Sequence, residues 1–141
     1  MFCGLQGPGT NDVNLGPSSD HDDLPARLLA SGKPVDAMEW LSRQDGVTRT
    51  LGEFTAEASR RLVGGFTKVG ALVFAVKVNQ SIRGGLDVDE VRENTGHLVI
   101  QLPSEPERRA KALKLGARHA RRLGFDPTED CGQRLLYVKL D

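Results

Sequence analysis

The feature that most constrains the fold is an apolar run at residues 71–78, with the sequence ALVFAVKV. Seven of these eight residues are apolar, and three of them are valines. A run of this kind is typical of a strand buried on both faces, because it lacks the alternation of polar and apolar residues that a half-exposed strand shows. We therefore expect residues 71–78 to form a strand inside a sheet.

Helical patterns precede this strand. Three helices are predicted, at residues 23–30, 34–45 and 51–63. The start of the third is assigned from Thr50 and Glu53, whose spacing matches a capping box in which each side chain satisfies a free backbone donor. Gly64 and Gly65 are expected to end it, because glycine is the common residue just after a helix.

The C-terminal half predicts a strand, a helix and a further strand. A loop is expected at residues 79–85. Residues 87–93 fit either a short helix or an alternating strand, and we favour the helix. A turn at 94–96 leads into a strand at 97–102, a helix at 104–124 and a closing strand at 134–140. This order is typical of a right-handed crossover, so we expect the two outer strands to be parallel.

Together these elements predict an α+β fold, in which helices pack on a short sheet of about three to four strands. Residues 1–22 contain no Lys or Arg and are rich in Gly, Pro, Ser, Asn and Asp. Such a segment has too little apolar surface to offset the entropy of ordering, so we interpret it as a flexible acidic tail. Residues 23–141 are then expected to form a single α+β domain.

The bulk composition narrows the class of protein. The formal net charge is zero, and no apolar run approaches the 18 or more residues typical of a membrane span. No secretory signal pattern is visible at the N-terminus, so we expect a cytoplasmic protein without membrane association. Cys3 and Cys131 can form one disulfide, but we interpret them as a reduced pair, in keeping with the cytosol.

The main functional signal is the predicted helix at residues 104–124. Seven of the 19 Lys and Arg residues of the chain lie there, against only two acidic residues. Its small and apolar side is assigned to Ala110, Leu113, Gly116, Ala117, Ala120 and Leu123. Like charges four residues apart, such as Lys114 with Arg118, each cost a few tenths of a kcal/mol. A partner that carries negative charge would relieve this repulsion.

We therefore predict a binding or regulatory domain that contacts an anionic partner. The candidate anion-binding residues are Arg83, Arg108, Lys111, Lys114, Arg118, His119, Arg121 and Arg122. The favoured partner is nucleic acid, either duplex DNA or structured RNA, contacted through its backbone. Only seven residues are aromatic, so recognition of single strands by base stacking is not favoured.

Several alternatives stay open. The basic helix can dock an acidic protein surface, or be a solvated face paired with the tail or with the acids of residues 87–93. Met38, Trp40 and Leu41 are interpreted as core or as the anchor of a homodimer. An enzyme is less favoured: Cys131 with His97 has no supporting spacing, and no catalytic residue is assigned. No metal site and no cofactor are expected, because the usual ligand spacings are missing.

Overall fold

A computed structural model describes residues 20–79 and 87–140 of the chain. Its helices are α1 (Asp20–Ala30), α2 (Ala37–Leu41), α3 (Ala56–Lys68) and α4 (Pro106–Arg122). Its strands are β1 (Val35–Asp36), β2 (Thr50–Leu51), β3 (Leu72–Asn79), β4 (Asp87–Asp89), β5 (Asn94–Thr95), β6 (His97–Gln101) and β7 (Leu135–Lys139). The fold is α+β, with helices packed on a short sheet, as predicted.

The main sheet is antiparallel throughout. Its strand order is β1-β3-β6-β7, and β4 adds to β3 near the end of that strand. In the central pair, Ala75 lies opposite Leu98. A separate parallel pair joins β2 to β5. The apolar run at residues 71–78 thus forms the strand that was predicted from it, shifted by one residue.

Both faces of the sheet are covered, because neighbouring residues of β3 enter two different apolar clusters. Ala75 packs in the larger cluster with residues of α2, α3 and α4. The next residue, Val76, points to the opposite face and packs with Leu28 of α1. Each fully buried Val or Leu contributes about 1.5–3 kcal/mol relative to an exposed one. The prediction of a strand buried on both faces is confirmed.

The orientation of the C-terminal strands was predicted wrongly. Strands β6 and β7 are antiparallel, with Gln101 opposite Leu135. The cause is the segment between α4 and β7, which returns beside the end of β6, where the Leu102 amide donates to the Arg134 carbonyl at 2.9 Å. Helix α4 therefore runs along the sheet in one direction, and the segment after it runs back to the end of β6 before β7 begins. In a parallel crossover the chain would enter the second strand directly after the helix.

Helix α3 begins later and runs further than predicted. Its N-cap is Thr55, whose side chain accepts a hydrogen bond from the Ala58 amide at 3.0 Å. Thr50 instead lies in β2. The helix continues through Gly64 and Gly65 to Lys68, because these glycines give room for neighbouring side chains of α2 and α4. Tertiary packing here overrides a local stop signal.

Shorter elements also differ from the predictions. The segment predicted as a helix at 87–93 contains strand β4, so the alternating strand was the better interpretation. The predicted turn at 94–96 contains β5. Helix α2 covers only Ala37–Leu41, and α1 begins upstream of the predicted start, at Asp20. Residues 1–19 and most of the predicted loop at 79–85 lie outside the described residues, so the acidic tail stays a prediction.

Trp40 belongs to the core rather than to an exposed anchor. Its side chain has no exposed surface, and its indole Nε1 donates to the Arg92 carbonyl at 3.0 Å. Leu41 beside it is also buried. A side chain that is fully buried within one chain cannot supply contact area to a second copy. The interpretation of this group as core is therefore favoured over a dimer anchor.

Two remaining expectations concern membranes and cysteines. None of the helices in the described ranges is long and apolar enough to cross a membrane. Cys131 is disulfide-bonded, which contradicts the interpretation of the cysteines as a reduced pair. The cytoplasmic location therefore stays a prediction, without the argument that rested on reduced thiols.

Candidate functional site

Helix α4 forms close to the predicted bounds. Its N-cap is Glu105 rather than Ser104, and the Glu105 carboxylate accepts from the Arg108 amide at 3.2 Å. Pro106 occupies the first helical position, where a missing amide proton costs nothing. The helix ends at Arg122, and Gly124 has a φ of +85°, a conformation that favours glycine.

The buried side of α4 is set by its approach to the sheet. Ala112, Leu113 and Gly116 are buried there. A Cβ at Gly116 would lie 2.8 Å from Cδ2 of Leu136, so a larger residue there would require the Leu136 side chain or the helix to shift. The close approach expected at Gly116 is thus present. Ala110, assigned to this side from the sequence, is exposed instead.

Five cations lie on the outer side of α4, and we call them the basic ridge. They are Lys111, Lys114, Arg118, Arg121 and Arg122. All five are exposed, and none makes an ion pair with a carboxylate of residues 23–79 or 87–140. From the first to the last, the ridge is about 16 Å long at 1.5 Å per residue.

The acids of residues 87–93 do not neutralise the ridge in the described part of the chain. The Asp89 carboxylate accepts hydrogen bonds from the backbone N–H of Glu90 and from the side-chain Nδ2 of Asn79. These bonds lower the pKa of Asp89, and the charges of Arg92 and Lys33 lower it further. Glu90 lies 4.0 Å from Arg92. The alternative in which these acids mask the basic helix is therefore not favoured.

The first two arginines of α4 differ in role. Arg108 is exposed, with its Nε 3.7 Å from Glu105, which is a weak surface pair. Arg109 is mostly buried, and its guanidinium bonds Asp130 and the Gln133 carbonyl, each at 2.6 Å. The hydrogen bond from Arg109 is the main cause that lowers the pKa of Asp130. Arg109 thus holds the segment that returns to β7.

His119 does not share the exposure of the ridge. Its ring is half-buried against Phe66 of α3, with the ring centres 6.1 Å apart. Its Nδ1 is buried and has no hydrogen-bond partner among the described residues. Burial lowers the pKa of His119, and the charges of Arg118 and Arg122 lower it further. His119 is therefore neutral near pH 7 and adds no fixed charge.

His119 should make stability depend on pH. Because its pKa is lower in the folded protein than the value of about 6.5 in an unfolded chain, the unfolded state takes up a proton first on acidification. We expect the His119→Gln variant to lose less unfolding free energy than the parent between pH 7 and pH 5, measured by urea denaturation. Identical pH profiles for the two proteins would contradict this assignment.

His97 and Cys131, the pair considered for nucleophilic chemistry, each have a partner other than one another. Nδ1 of His97 lies 2.6 Å from the Tyr137 hydroxyl, and Cys131 is disulfide-bonded. Among the described residues, no group of three or more His, Cys, Asp or Glu could hold a metal. Arg83 lies outside the described residues, so its predicted role is untouched by the structure.

A cleft of about 830 Å³ separates α1 from the ends of β6 and β7. Its walls are mainly apolar, with Leu29, Leu102 and Leu135 among the residues that line it. The described lining holds no His, Cys, Asp or Glu side chain, and Arg109 is already bonded to Asp130. The described part of the lining thus offers no carboxyl, imidazole or thiol group for general acid–base chemistry.

No protein family, curated protein or solved structure matches this chain in the comparisons made with each. The candidate site therefore rests on its own geometry. Its most distinctive feature is the basic ridge on α4.

Proposed function

We propose that this protein is a non-enzymatic domain that binds the phosphate backbone of nucleic acid through the basic ridge of α4. The observation that carries the proposal is that five exposed cations lie together on one helix without a carboxylate partner in the described residues. The regulatory role expected for such a domain is part of the same proposal.

Electrostatics favour a partner with closely spaced charges. Lys114 and Arg118, and Arg118 and Arg122, are four residues apart on one side of the helix, so each pair is repulsive. Duplex DNA carries one negative charge per about 1.7 Å of its axis, which is dense enough to meet several cations over the 16 Å or so of the ridge. Each phosphate that is neutralised releases counterions, and this release favours binding.

The scarcity of exposed aromatic side chains in the described residues favours backbone contacts over base recognition. In the described ranges, Phe125 is the one aromatic residue among the large apolar side chains that are exposed. It lines a cleft with Ala117 and Ala120. We therefore propose duplex DNA or structured RNA as the partner, without preference for base sequence.

A salt series tests this proposal directly. We expect fluorescence anisotropy with a labelled 20-base-pair duplex to show affinity that falls steeply with salt. For three to four phosphate contacts the slope of log K against log salt is about −3. Binding that is undetectable at 50 mM salt for DNA and RNA alike would contradict the proposal. A nuclease-resistant complex with an acidic protein would instead favour the protein-docking alternative.

A further inference from the structure

Helix α3 lies directly beside α4, a contact that sequence analysis did not predict. A Cβ at Gly65 of α3 would lie 3.1 Å from Cδ2 of Leu115, so the two helices pack closely at this point. The end of α3 faces the beginning of α4, because a Cβ at Gly70 would lie 3.4 Å from Nη1 of Arg108. The two helices therefore run in roughly opposite directions.

Lys68 lies on the side of α3 that borders this contact. It follows Gly65 by three residues, which places it about 60° around the helix axis from the glycine and one turn along it. Its side chain is exposed, and it makes no ion pair with any described carboxylate. Because Lys68 lies between Gly65 and Gly70, it is level with the first half of α4, where Lys111 lies.

Arg61 lies about one turn before Gly65 and also borders the contact, but a carboxylate lies close to its guanidinium. Its guanidinium lies 3.2 Å from Glu57, and both side chains are about three-quarters exposed. An exposed pair of this kind contributes little to stability, but the Glu57 carboxylate offsets the formal charge of Arg61. Lys68 is therefore the cation of α3 that we assign to the site.

We propose that the nucleic-acid site spans both helices, with Lys68 of α3 binding a phosphate on one strand of a duplex while the basic ridge of α4 binds the other strand. This inference rests on the proposed function and specifies its ligand as a duplex. The observation that supports it is the close contact at Gly65 and Leu115, which brings the exposed Lys68 of α3 to the side of α4 that carries the basic ridge.

The spacing of packed helices fits the two strands that border one groove. Axes of helices in contact are typically about 8–10 Å apart. This separation lies between the widths of the minor groove, about 6 Å, and the major groove, about 12 Å. The long side chains of Lys68 and of the basic ridge can therefore reach phosphates on both strands. A single strand offers one row of phosphates, which the basic ridge alone can contact.

The test compares Lys68→Gln with the parent protein on a 20-base-pair duplex and on one of its strands. We expect Lys68→Gln to reduce the slope of log K against log salt on the duplex by about 0.9, the value for one phosphate contact. At 0.1 M salt this corresponds to roughly eightfold weaker binding. On the single strand, the slope and the affinity should be unchanged.

Two further variants make the outcomes distinct. Arg118→Gln should weaken binding to both ligands, and Arg27→Gln, on the opposite face of the sheet, should weaken neither. If Arg118→Gln weakens duplex binding and Lys68→Gln does not, the two-helix site is wrong and the proposed function stands. An equal loss on the single strand for Lys68→Gln would also overturn the two-helix site. If the parent binds neither ligand, both proposals fail.

Discussion

The Arg118→Glu/Arg122→Glu variant should bind duplex DNA at least about 60-fold more weakly than the parent at 0.1 M salt. Each phosphate contact raises log K by about 0.9 when the salt concentration falls from 1 M to 0.1 M, so the loss of two contacts lowers log K at 0.1 M by about 1.8. Both side chains are exposed, and neither forms an ion pair with a described carboxylate. The new carboxylates should also repel the phosphates. Reversing the two charges should therefore reduce the affinity for duplex DNA more than removing them would.

A control with the same change in net charge separates local contact from long-range attraction. Arg27→Glu/Arg43→Glu alters two exposed arginines outside α3 and α4. We expect this control to weaken binding less than threefold. Circular dichroism and the unfolding midpoint should show that both double variants remain folded, since the changed side chains are on the surface. Equal losses in the two double variants would mean that the ridge has no specific role.

The second large effect is on stability. Trp40→Ala should lower the free energy of unfolding by about 3–5 kcal/mol, because removing a buried aromatic side chain leaves a cavity in the core. Trp40 has no exposed surface, and its indole Nε1 donates to the Arg92 carbonyl at 3.0 Å. The variant also leaves the Arg92 carbonyl without this hydrogen-bond donor, which lowers the free energy of unfolding further. Urea denaturation measures the change.

Trp40→Phe is the matched control, because it keeps most of the apolar volume and removes only the indole N–H. We expect Trp40→Phe to lower the free energy of unfolding by less than half as much as Trp40→Ala. Light scattering on Trp40→Phe should give the same molar mass as the parent, since the side chain lies inside one chain. A change in oligomeric state with little change in stability would instead support the dimer-anchor interpretation.

The parts of the fold that the sequence predicts well are those with strong local patterns. The run at 71–78 has an apolar composition that few structures other than a buried strand tolerate, and it forms β3. The helix at 104–124 has an N-terminal acid, a proline at its start and a glycine after its end, and it forms α4. In both cases the local signals and the tertiary packing agree.

The errors occur where tertiary contacts decide. Thr50 and Glu53 match a capping box, yet Thr50 pairs with Asn94 in β2 and β5, and the cap lies at Thr55. The direction of β7 depends on how the preceding segment returns, which is fixed by bonds from Arg109 to Asp130 and Gln133. Neither pairing across the fold leaves a local pattern that could be recognised in the sequence.

The candidate site shows the same division. The outward positions of Lys111, Lys114 and Arg118 follow from helical spacing alone, because all three lie within one sector of α4. The burial of His119 does not, since it depends on Phe66 of a different helix. Lys68 could not have been assigned to the site from the sequence, because the contact between α3 and α4 brings together residues more than 40 positions apart.

The central claim is that the partner's phosphates lie against the outer side of α4. The most direct test is an NMR titration of the labelled protein with a 12-base-pair duplex, followed through backbone amide shifts. The account predicts shifts concentrated at residues 108–122 and 65–70, with those of α1 unchanged. Shifts centred on the cleft between α1 and β7, or none at duplex concentrations up to about 1 mM, would contradict it.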